Sequence, residues 1–184
     1  MKNRVYALVA IMALATTAML ATAKNPIVGG QEMFPSKNII QNAVNSSDHT
    51  TLVAAVKAAG LVETLEGPGP FTVFAPTNEA FAKLPAGAVD NLLKPENQDT
   101  LKRVLTYHVV AGKLSAADLM KQIKAGKGTA EVTTVEGGKL WFSLHDGKHI
   151  MLKDEKGGSA LVTIADVNQS NGVIHVIDSV VMPN

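Results

Sequence analysis

The stretch of sequence that decides the fold is FTVFAPTNEAF, which occupies residues 71–81. Its first four residues have the alternating apolar pattern that is typical of a β-strand. Thr77 can cap a short helix behind this run, and Glu79 lies in its first turn, where the helix dipole favours an acid. Pro85 ends that helix. The stretch therefore predicts a strand that leads directly into a helix.

Another helix is predicted before this strand. Leu52, Val53 and Val56 recur at helical spacing. Asp48 is positioned to cap the helix at its start, and Gly60 is positioned to end it. A helix therefore precedes the strand as well as following it.

Two further helices and one short strand are predicted downstream. Residues 115–123 form a helix that Ser115 caps. Residues 107–110 have the character of a strand. Residues 97–105 form a helix whose buried face carries Leu101, Val104 and Leu105. The first two thirds of the domain are therefore mostly helical.

The last third has the pattern of β-strands. Asp146-Gly147 between two apolar runs is a strong signal for a hairpin with a two-residue loop. Glycine-bearing turns separate five predicted strands, at residues 129–135, 139–145, 148–153, 159–167 and 173–182. Because helices and strands occupy separate parts of the sequence, we expect an α+β fold that ends in an antiparallel meander.

The amino terminus has the features of a signal peptide. A short basic start precedes an apolar run of sixteen residues, 5–20, and Ala21-Thr22-Ala23 supplies a small-x-small cleavage site. An uncleaved anchor is the alternative, but a bilayer span needs roughly 20 apolar residues. We therefore expect residues 1–23 to be removed and the protein to be exported, to the periplasm or the extracellular space. No later stretch is long and apolar enough to predict a membrane span.

The mature part is predicted to be an arm followed by one domain. Residues 24–35 hold two prolines and two glycines without periodicity, which indicates an arm or linker. The domain then covers residues 36–184. Of 17 lysines and arginines, Lys2 and Arg4 belong to the leader, which leaves 15 against 16 acidic residues. A nucleic-acid partner would need a clustered basic surface, so none is expected.

Several kinds of chemical site are not supported by the residues present. The chain has no cysteine, which excludes disulfides, thiolate metal sites and a cysteine nucleophile. A two-residue hairpin loop would send His145 and His149 to opposite faces, so no metal site is predicted. No glycine-rich phosphate loop occurs, and no cofactor is expected. The tryptophan and two tyrosines are too scattered for a stacking platform.

A serine hydrolase is the remaining catalytic alternative. His175 and Asp178 are available, but no serine lies in a Gly-x-Ser-x-Gly elbow. A local polar role in the last strands also explains both residues. We therefore expect no catalytic site.

Three segments together resemble the signatures of fasciclin-like domains. The first is residues 71–81 followed by Leu84-Pro85, the second is Tyr107-His108, and the third is residues 171–178 followed by residues 180–183. They occur in the order found in that family. The structural signature residues in the first and third segments are Thr77, Asn78, Asn171, Gly172, His175 and Asp178.

The resemblance implies a fasciclin-like fold, in which helices pack on a β-wedge of mostly antiparallel strands, and a function in adhesion without catalysis. It also implies a candidate adhesion surface formed by Tyr107, His108 and Asp166. Asp166 matches the family's Asp-Ile pair in part, since Val167 follows it, and it could instead end a strand. Tyr107 and His108 could act by stabilising the fold or by direct contact.

The implied partner is a cell-surface or matrix protein or a polysaccharide, and the oligomeric state is open. One alternative is a small-ligand carrier, because the chain is rich in apolar residues and its seven methionines can line adaptable pockets. Hydrolase activity is the third possibility.

Overall fold

The structure, a computed structural model, describes residues 24–184. The predicted signal peptide, residues 1–23, lies outside the described residues. Within the described range no helix is both long and apolar enough to cross a bilayer.

Seven α-helices are present in residues 24–184, with two short 3₁₀ turns at Ser47–His49 and Pro95–Asn97. The helices are α1 Ile39–Ala43, α2 Thr50–Ala58, α3 Val62–Glu66, α4 Asn78–Ala82, α5 Ala88–Leu92, α6 Gln98–Tyr107 and α7 Ala116–Ala125. Thr77 and Ser115 cap α4 and α7 as predicted, because each hydroxyl accepts a backbone N–H of the first turn. The predicted helices around residues 52–59, 97–105 and 115–123 are confirmed.

Nine strands occupy the same described range. They are β1 Ile27–Val28, β2 Gln31–Glu32, β3 Phe71–Pro76, β4 Val109–Ala111, β5 Ala130–Thr133, β6 Lys139–His145, β7 His149–Lys153, β8 Ser159–Gln169 and β9 Gly172–Ile177. The five strands predicted for the last third are confirmed, although the last of them ends at Ile177 rather than at residue 182.

Seven of these strands form one sheet in the order β4-β3-β9-β8-β7-β6-β5. The strands from β5 to β9 pair antiparallel with their neighbours, so the predicted meander is confirmed. At the centre, β3 instead pairs parallel with β9, with Phe71 opposite Gly172. Beyond β5, the Val135 N–H donates to the Val109 carbonyl of β4 at 2.7 Å, which links the two ends of the sheet.

Apolar side chains pack on both faces of the central strands. Along β3, Val73 and Ala75 join a cluster with α1, α2 and α6, whereas Phe74 joins a second cluster with α7 and the meander. Successive strand residues point to opposite faces, and all six residues of β9 are buried. Because helices and strands are segregated, the α+β prediction is confirmed.

Three local expectations differ from the structure. Residues 24–35, expected to be an arm, contain the β1–β2 hairpin, and Val28 and Met33 are buried in the core. Asp48 does not cap α2, since it lies within the preceding 3₁₀ turn. The cap position is His49, whose side chain makes no capping hydrogen bond. Residues 107 and 108 end α6 instead of starting a strand.

Candidate functional site

Tyr107 of the expected adhesion surface lies inside the domain. It is the last residue of α6, and its side chain is 0% exposed. The phenol donates to the Lys139 carbonyl at 2.5 Å and accepts the Glu155 N–H at 3.2 Å. Burial raises the pKa of Tyr107 to about 12, so the phenol stays protonated. Gly138 lies against the ring, where a β-carbon would approach within 2.8 Å.

His108 is also buried, at 2% exposure. Its Nδ1 donates to the Val104 carbonyl at 2.8 Å, and its Nε2 accepts the Val181 N–H at 3.2 Å. Burial lowers the pKa of His108 to about 4, so the imidazole is neutral at physiological pH. In this conformation neither Tyr107 nor His108 presents its side chain on the surface.

Asp166, the third expected adhesion residue, is half-buried and lies within β8 rather than at its end. The register between β8 and β9 shifts between Ile164 and Val167, and Asp166 has a left-handed φ of 57°. Its carboxylate accepts the Ala116 N–H at 2.8 Å, which satisfies an amide in the first turn of α7. The structure therefore does not bring these three side chains together on one surface.

The signature residues of the first segment make local bonds that connect elements. Thr77 caps α4 through the Ala80 N–H at 3.2 Å. The Asn78 carboxamide accepts the Thr51 N–H at 3.0 Å and donates to the Ser47 carbonyl at 2.8 Å. Asn78 therefore fastens α4 to the start of α2.

The Asn171 carboxamide connects segments that are far apart in sequence. Its Oδ1 accepts the Ile39 N–H at 3.0 Å, while its Nδ2 donates to the carbonyls of Leu65 and Gly67 at 2.8 and 2.9 Å. One buried side chain thus holds α1, the end of α3 and the β8–β9 turn together. Because these bonds use three of its hydrogen-bonding positions, the role of Asn171 is structural.

Gly172 is required by close packing rather than by an unusual backbone conformation. Asn-Gly dipeptides in turns favour a positive φ, but neither Asn171 nor Gly172 is among the positive-φ positions of residues 24–184. Instead, a β-carbon on Gly172 would lie 2.1 Å from the Phe71 carbonyl oxygen. The close approach of β9 to β3 therefore excludes any side chain there.

His175 and Asp178 bond to separate parts of the backbone. His175 is fully buried, with Nε2 donating to the Leu114 carbonyl at 2.8 Å and Nδ1 accepting the Asp166 N–H at 3.3 Å. Burial lowers the pKa of this imidazole. Asp178 accepts the Leu161 N–H at 2.8 Å and lies 3.4 Å from the Lys83 ammonium group. The two residues therefore do not form a base-and-acid pair.

A serine–histidine pair that no sequence motif indicates lies under the β1–β2 hairpin. Ser46 Oγ is 2.9 Å from His49 Nδ1, and both residues are 3% exposed. His49 Nε2 is buried and has no hydrogen-bond partner within residues 24–184. A β-carbon on Gly29 would lie 2.3 Å from Ser46 Oγ, so the hairpin covers the hydroxyl closely. Such burial leaves no access for a substrate.

The expectation that His145 and His149 point to opposite faces is wrong. The register places His145 directly opposite His149, so three residues rather than two separate them. Directly opposed residues of an antiparallel pair share a face. His149 Nδ1 lies 2.9 Å from an Asp146 carboxylate oxygen. No three or more histidine, cysteine or acidic side chains within residues 24–184 are arranged to hold a metal ion.

An apolar cavity of about 60 Å³ lies among α1, α2, α3 and β3. Its walls include Ile40, Leu52, Val56, Leu65 and Phe71. Val135 also lines it and is 47% exposed, which is high for a large apolar residue. The sequence shows only apolar residues at helical spacing here and gives no sign that they enclose a space.

The fold and these internally bonded side chains define a single α+β module in which the signature residues connect the elements of the core. The chain belongs to the Fasciclin domain family, which matches residues 47–183. The resemblance found in its sequence is therefore confirmed. It is 48% identical over 170 residues to Protein sll1483 of Synechocystis sp., covering 92% of this chain and 87% of that protein.

Two further comparisons support the family and the fold. The chain is 38% identical over 146 residues to Immunogenic protein MPB70 of Mycobacterium bovis, covering 77% of this chain and 66% of that protein. A solved FAS1 domain pair from the insect cell adhesion molecule Fasciclin I superposes with a TM-score of 0.51 at 23% identity. That match covers 77% of this chain and 43% of the insect chain.

Proposed function

We propose that the protein is an exported adhesion module that binds a cell-surface or matrix protein or a polysaccharide without catalysis. Membership of the Fasciclin domain family carries this proposal, and the family includes an insect cell adhesion molecule. The signal-peptide features of residues 1–23 support export.

The bonding of the signature residues supports the non-catalytic part of the proposal. A catalytic base needs a nitrogen or oxygen that can reach a substrate. The ring nitrogens of His108 and His175 bond to backbone groups, and Ser46 with His49 lies beneath a hairpin. A broad screen of ester, glycoside and peptide substrates that found real turnover would contradict this part.

Two measurements test export and adhesion separately. The mass of the protein purified from the periplasm and medium of its own cells should correspond to a chain that starts at Lys24. An array of polysaccharides and matrix proteins, probed with the same material, should show saturable retention. Retention on no surface of the array would contradict adhesion, whereas a full-length mass would contradict cleavage alone.

For the expected adhesion residues, we propose that Tyr107 and His108 act through stability. Their burial and backbone bonds support this role. Asp166 remains the only one of the three with partial exposure, so a contact role is assigned to it alone.

A small-ligand carrier is the second candidate, and the apolar cavity favours it. Its volume of about 60 Å³ is well below the roughly 300 Å³ at which pockets for small molecules begin. Binding of a small molecule in this cavity would therefore require α1, α2 and α3 to move apart. Native mass spectrometry of freshly purified protein should show a co-purified apolar molecule if the carrier function is correct, and bare protein alone would contradict it.

A further inference from the structure

Four side chains form a straight row on the outer face of the meander. Glu131, Trp141, Lys153 and Ser159 lie directly opposite one another on β5, β6, β7 and β8. Their strand neighbours, Leu140, Phe142, Leu152 and Ala160, are buried under α7 and the core, so the row faces outward. Four strands at about 4.8 Å spacing make the row about 14 Å long.

Trp141 is held in place within this row. Its indole Nε1 donates to one carboxylate oxygen of Glu131 at 3.2 Å. The other oxygen of Glu131 forms an ion pair with Lys139 at 2.8 Å. Trp141 is half-buried, so part of the indole remains open to solvent. A ring fixed in this way loses little conformational entropy when a ligand stacks on it.

An open groove of about 620 Å³ runs beside the indole. Its other walls are Thr129, Lys153 and the turn at residues 154–157. The groove is shallow and roughly half polar, unlike the apolar cavity under α2. Because it is open to solvent, it fits a chain that lies on the surface better than a small molecule that requires enclosure.

The charged groups of the groove differ in how many hydrogen bonds and ion pairs they already form within the protein. Asp154 is buried, and its two oxygens accept the N–H groups of Gly158 and Met182 at 2.6 and 2.9 Å. Glu155 accepts the N–H groups of Lys139 and Asn184 at 3.0 and 3.2 Å.

Lys153 and Lys156 are both exposed. Neither lysine forms an ion pair with any residue in the range 24–184. Among the polar side chains that line the groove within residues 24–184, those of Lys153, Lys156 and Thr129 make no hydrogen bond or ion pair and can therefore bind a ligand.

We infer that this groove binds an acidic polysaccharide, with one sugar ring stacked on Trp141 and the carboxylates of the chain paired with Lys153 and Lys156. This inference rests on the proposed adhesive function and names its partner. The face of an aromatic ring is electronegative and attracts the weakly positive C–H groups on one face of a pyranose ring. The ammonium groups bind carboxylates as point charges.

Other partner classes fit the groove less well. A stable protein interface needs an apolar centre, and the outer row offers one aromatic side chain between charged and hydroxyl groups. Nucleic acid needs an extended basic surface, whereas the basic groups of this groove are confined to Lys153 and Lys156. A polysaccharide requires only one ring contact and a few polar contacts at each point along its length.

The single tryptophan of the chain makes a direct test possible, because tryptophan emission reports on Trp141 alone. The purified protein is titrated with oligomers of galacturonic acid and, separately, with oligomers of glucose. Galacturonate should shift the emission in a saturable way, and the affinity should fall as salt rises from 50 to 500 mM, since salt screens exposed charges. Glucose oligomers should bind about two- to fivefold more weakly, by the loss of one or two exposed charge pairs.

Variants measured by calorimetry identify the groove. Trp141→Ala should weaken galacturonate binding by about tenfold or more, as for stacking on other aromatic platforms. Trp141→Phe retains an aromatic ring, so its affinity should lie between those of the wild type and Trp141→Ala. This variant controls for a folding defect. Lys153→Gln should weaken the affinity for galacturonate by about two- to fivefold. Lys148→Gln, an exposed lysine in the hairpin turn at the far end of β7, should bind like the wild type.

The outcomes separate this inference from the proposed function. If Trp141→Ala is retained on the polysaccharide and matrix array as well as the wild type is, the groove is not the binding site, although the adhesive function is still supported. Equal binding of glucose and galacturonate would overturn the acidic partner. Trp141-dependent retention on a matrix protein, without galacturonate binding, would overturn the polysaccharide in favour of a protein. Absence of retention on every surface would remove both the groove and the adhesive function.

Discussion

His108 and Val181 are joined by a hydrogen bond of 3.2 Å from the Val181 backbone N–H to the imidazole Nε2. This contact connects the end of α6 with the segment that follows β9, 73 residues later in the chain. The other nitrogen, Nδ1, donates to the Val104 carbonyl in the preceding turn of α6. The ring thus holds a fixed tautomer between two backbone groups that have no access to water.

Replacing His108 with alanine should therefore destabilise the domain. The Val181 N–H would lose its partner inside the core, at a cost of about 1–3 kcal/mol, and the missing ring would leave a cavity. We expect a total loss of about 3 kcal/mol in the free energy of unfolding, measured by urea denaturation. His145→Ala, on the exposed hairpin, is the matched control and should change stability by no more than about 0.5 kcal/mol.

The same variant distinguishes the two roles of the Tyr107-His108 pair. If His108 acts through the fold, weaker adhesion will accompany the lower stability and recover at low temperature, where the domain is folded. Loss of adhesion at unchanged melting temperature would instead show that His108 contacts the partner.

Acid should destabilise the protein through its buried histidines. Burial lowers the pKa of His108 from 6.5 to about 4, and it lowers the pKa values of His49 and His175 as well. Above pH 6.5 the ring is neutral in both states, so stability does not depend on it. Between pH 6.5 and 4 only the unfolded chain takes up the proton, so each fall in pH favours unfolding. Below about pH 4 both states are protonated and the dependence ends.

This effect is measured by urea unfolding at pH 7, 6 and 5. For His108 alone, the difference between its pKa values in the folded and unfolded states predicts that the free energy of unfolding falls by about 2 kcal/mol between pH 7 and 5. The His108→Gln variant has no titrating group at this position and should show a correspondingly shallower slope. An equal slope in both proteins would contradict the assignment of a low pKa to His108.

Much of the fold could be predicted because the local preferences for caps and strands favour the same elements that the burial of apolar side chains favours. Thr77 and Ser115 cap their helices as the capping preference requires. The alternating runs of the last third form the expected meander. The parallel pairing of β3 with β9 could not be predicted, since it joins strands about 100 residues apart and no local pattern marks the partner.

The candidate site was harder to predict because it depends on tertiary contacts. Tyr107-His108 precedes Val109 and Val110 in an apolar run, which hides the end of α6. The one-residue difference in the 145–149 hairpin reverses which face a side chain occupies, since strand side chains alternate. The row that contains Trp141 exists only when four strands pair in register, so the sequence shows a lone tryptophan.

Asn171→Ala should be among the most destabilising polar substitutions. It removes bonds to Ile39, Leu65 and Gly67 and leaves their backbone groups without this partner. We expect a loss of about 2–4 kcal/mol in the free energy of unfolding. Asn168→Ala is the matched control, since Asn168 is exposed and bonds only to the nearby Asp166 carbonyl. Similar losses in the two variants would contradict the special role of Asn171.

Gly172→Ala should prevent β9 from approaching β3. The added β-carbon would lie 2.1 Å from the Phe71 carbonyl oxygen, and backbone on both sides would have to move. We expect a loss of more than about 3 kcal/mol, which is in the range of severe overpacking. Gly30→Ala is the comparison, because its β-carbon meets open space at a φ of +72° and should cost about 1–2 kcal/mol of left-handed strain. Thermal unfolding that ranked Gly30→Ala as the worse variant would contradict the steric role of Gly172.

A substitution of Asp166 can distinguish a role in partner contact from a role in the fold. Asparagine keeps the hydrogen bond and the backbone conformation of this residue but removes its charge. The carboxylate accepts the Ala116 N–H at the start of α7, and the backbone adopts a left-handed φ of 57°. Asparagine can accept the same bond and tolerates that φ, whereas alanine does neither. We therefore expect Asp166→Asn to remain within about 0.5 kcal/mol of the wild type and Asp166→Ala to lose about 1–2 kcal/mol. If Asp166 contacts a partner through its charge, Asp166→Asn will lose retention on the array at full stability. Retention by Asp166→Asn at the wild-type level would assign the residue to the fold alone and leave the outer face of the meander as the proposed adhesion surface.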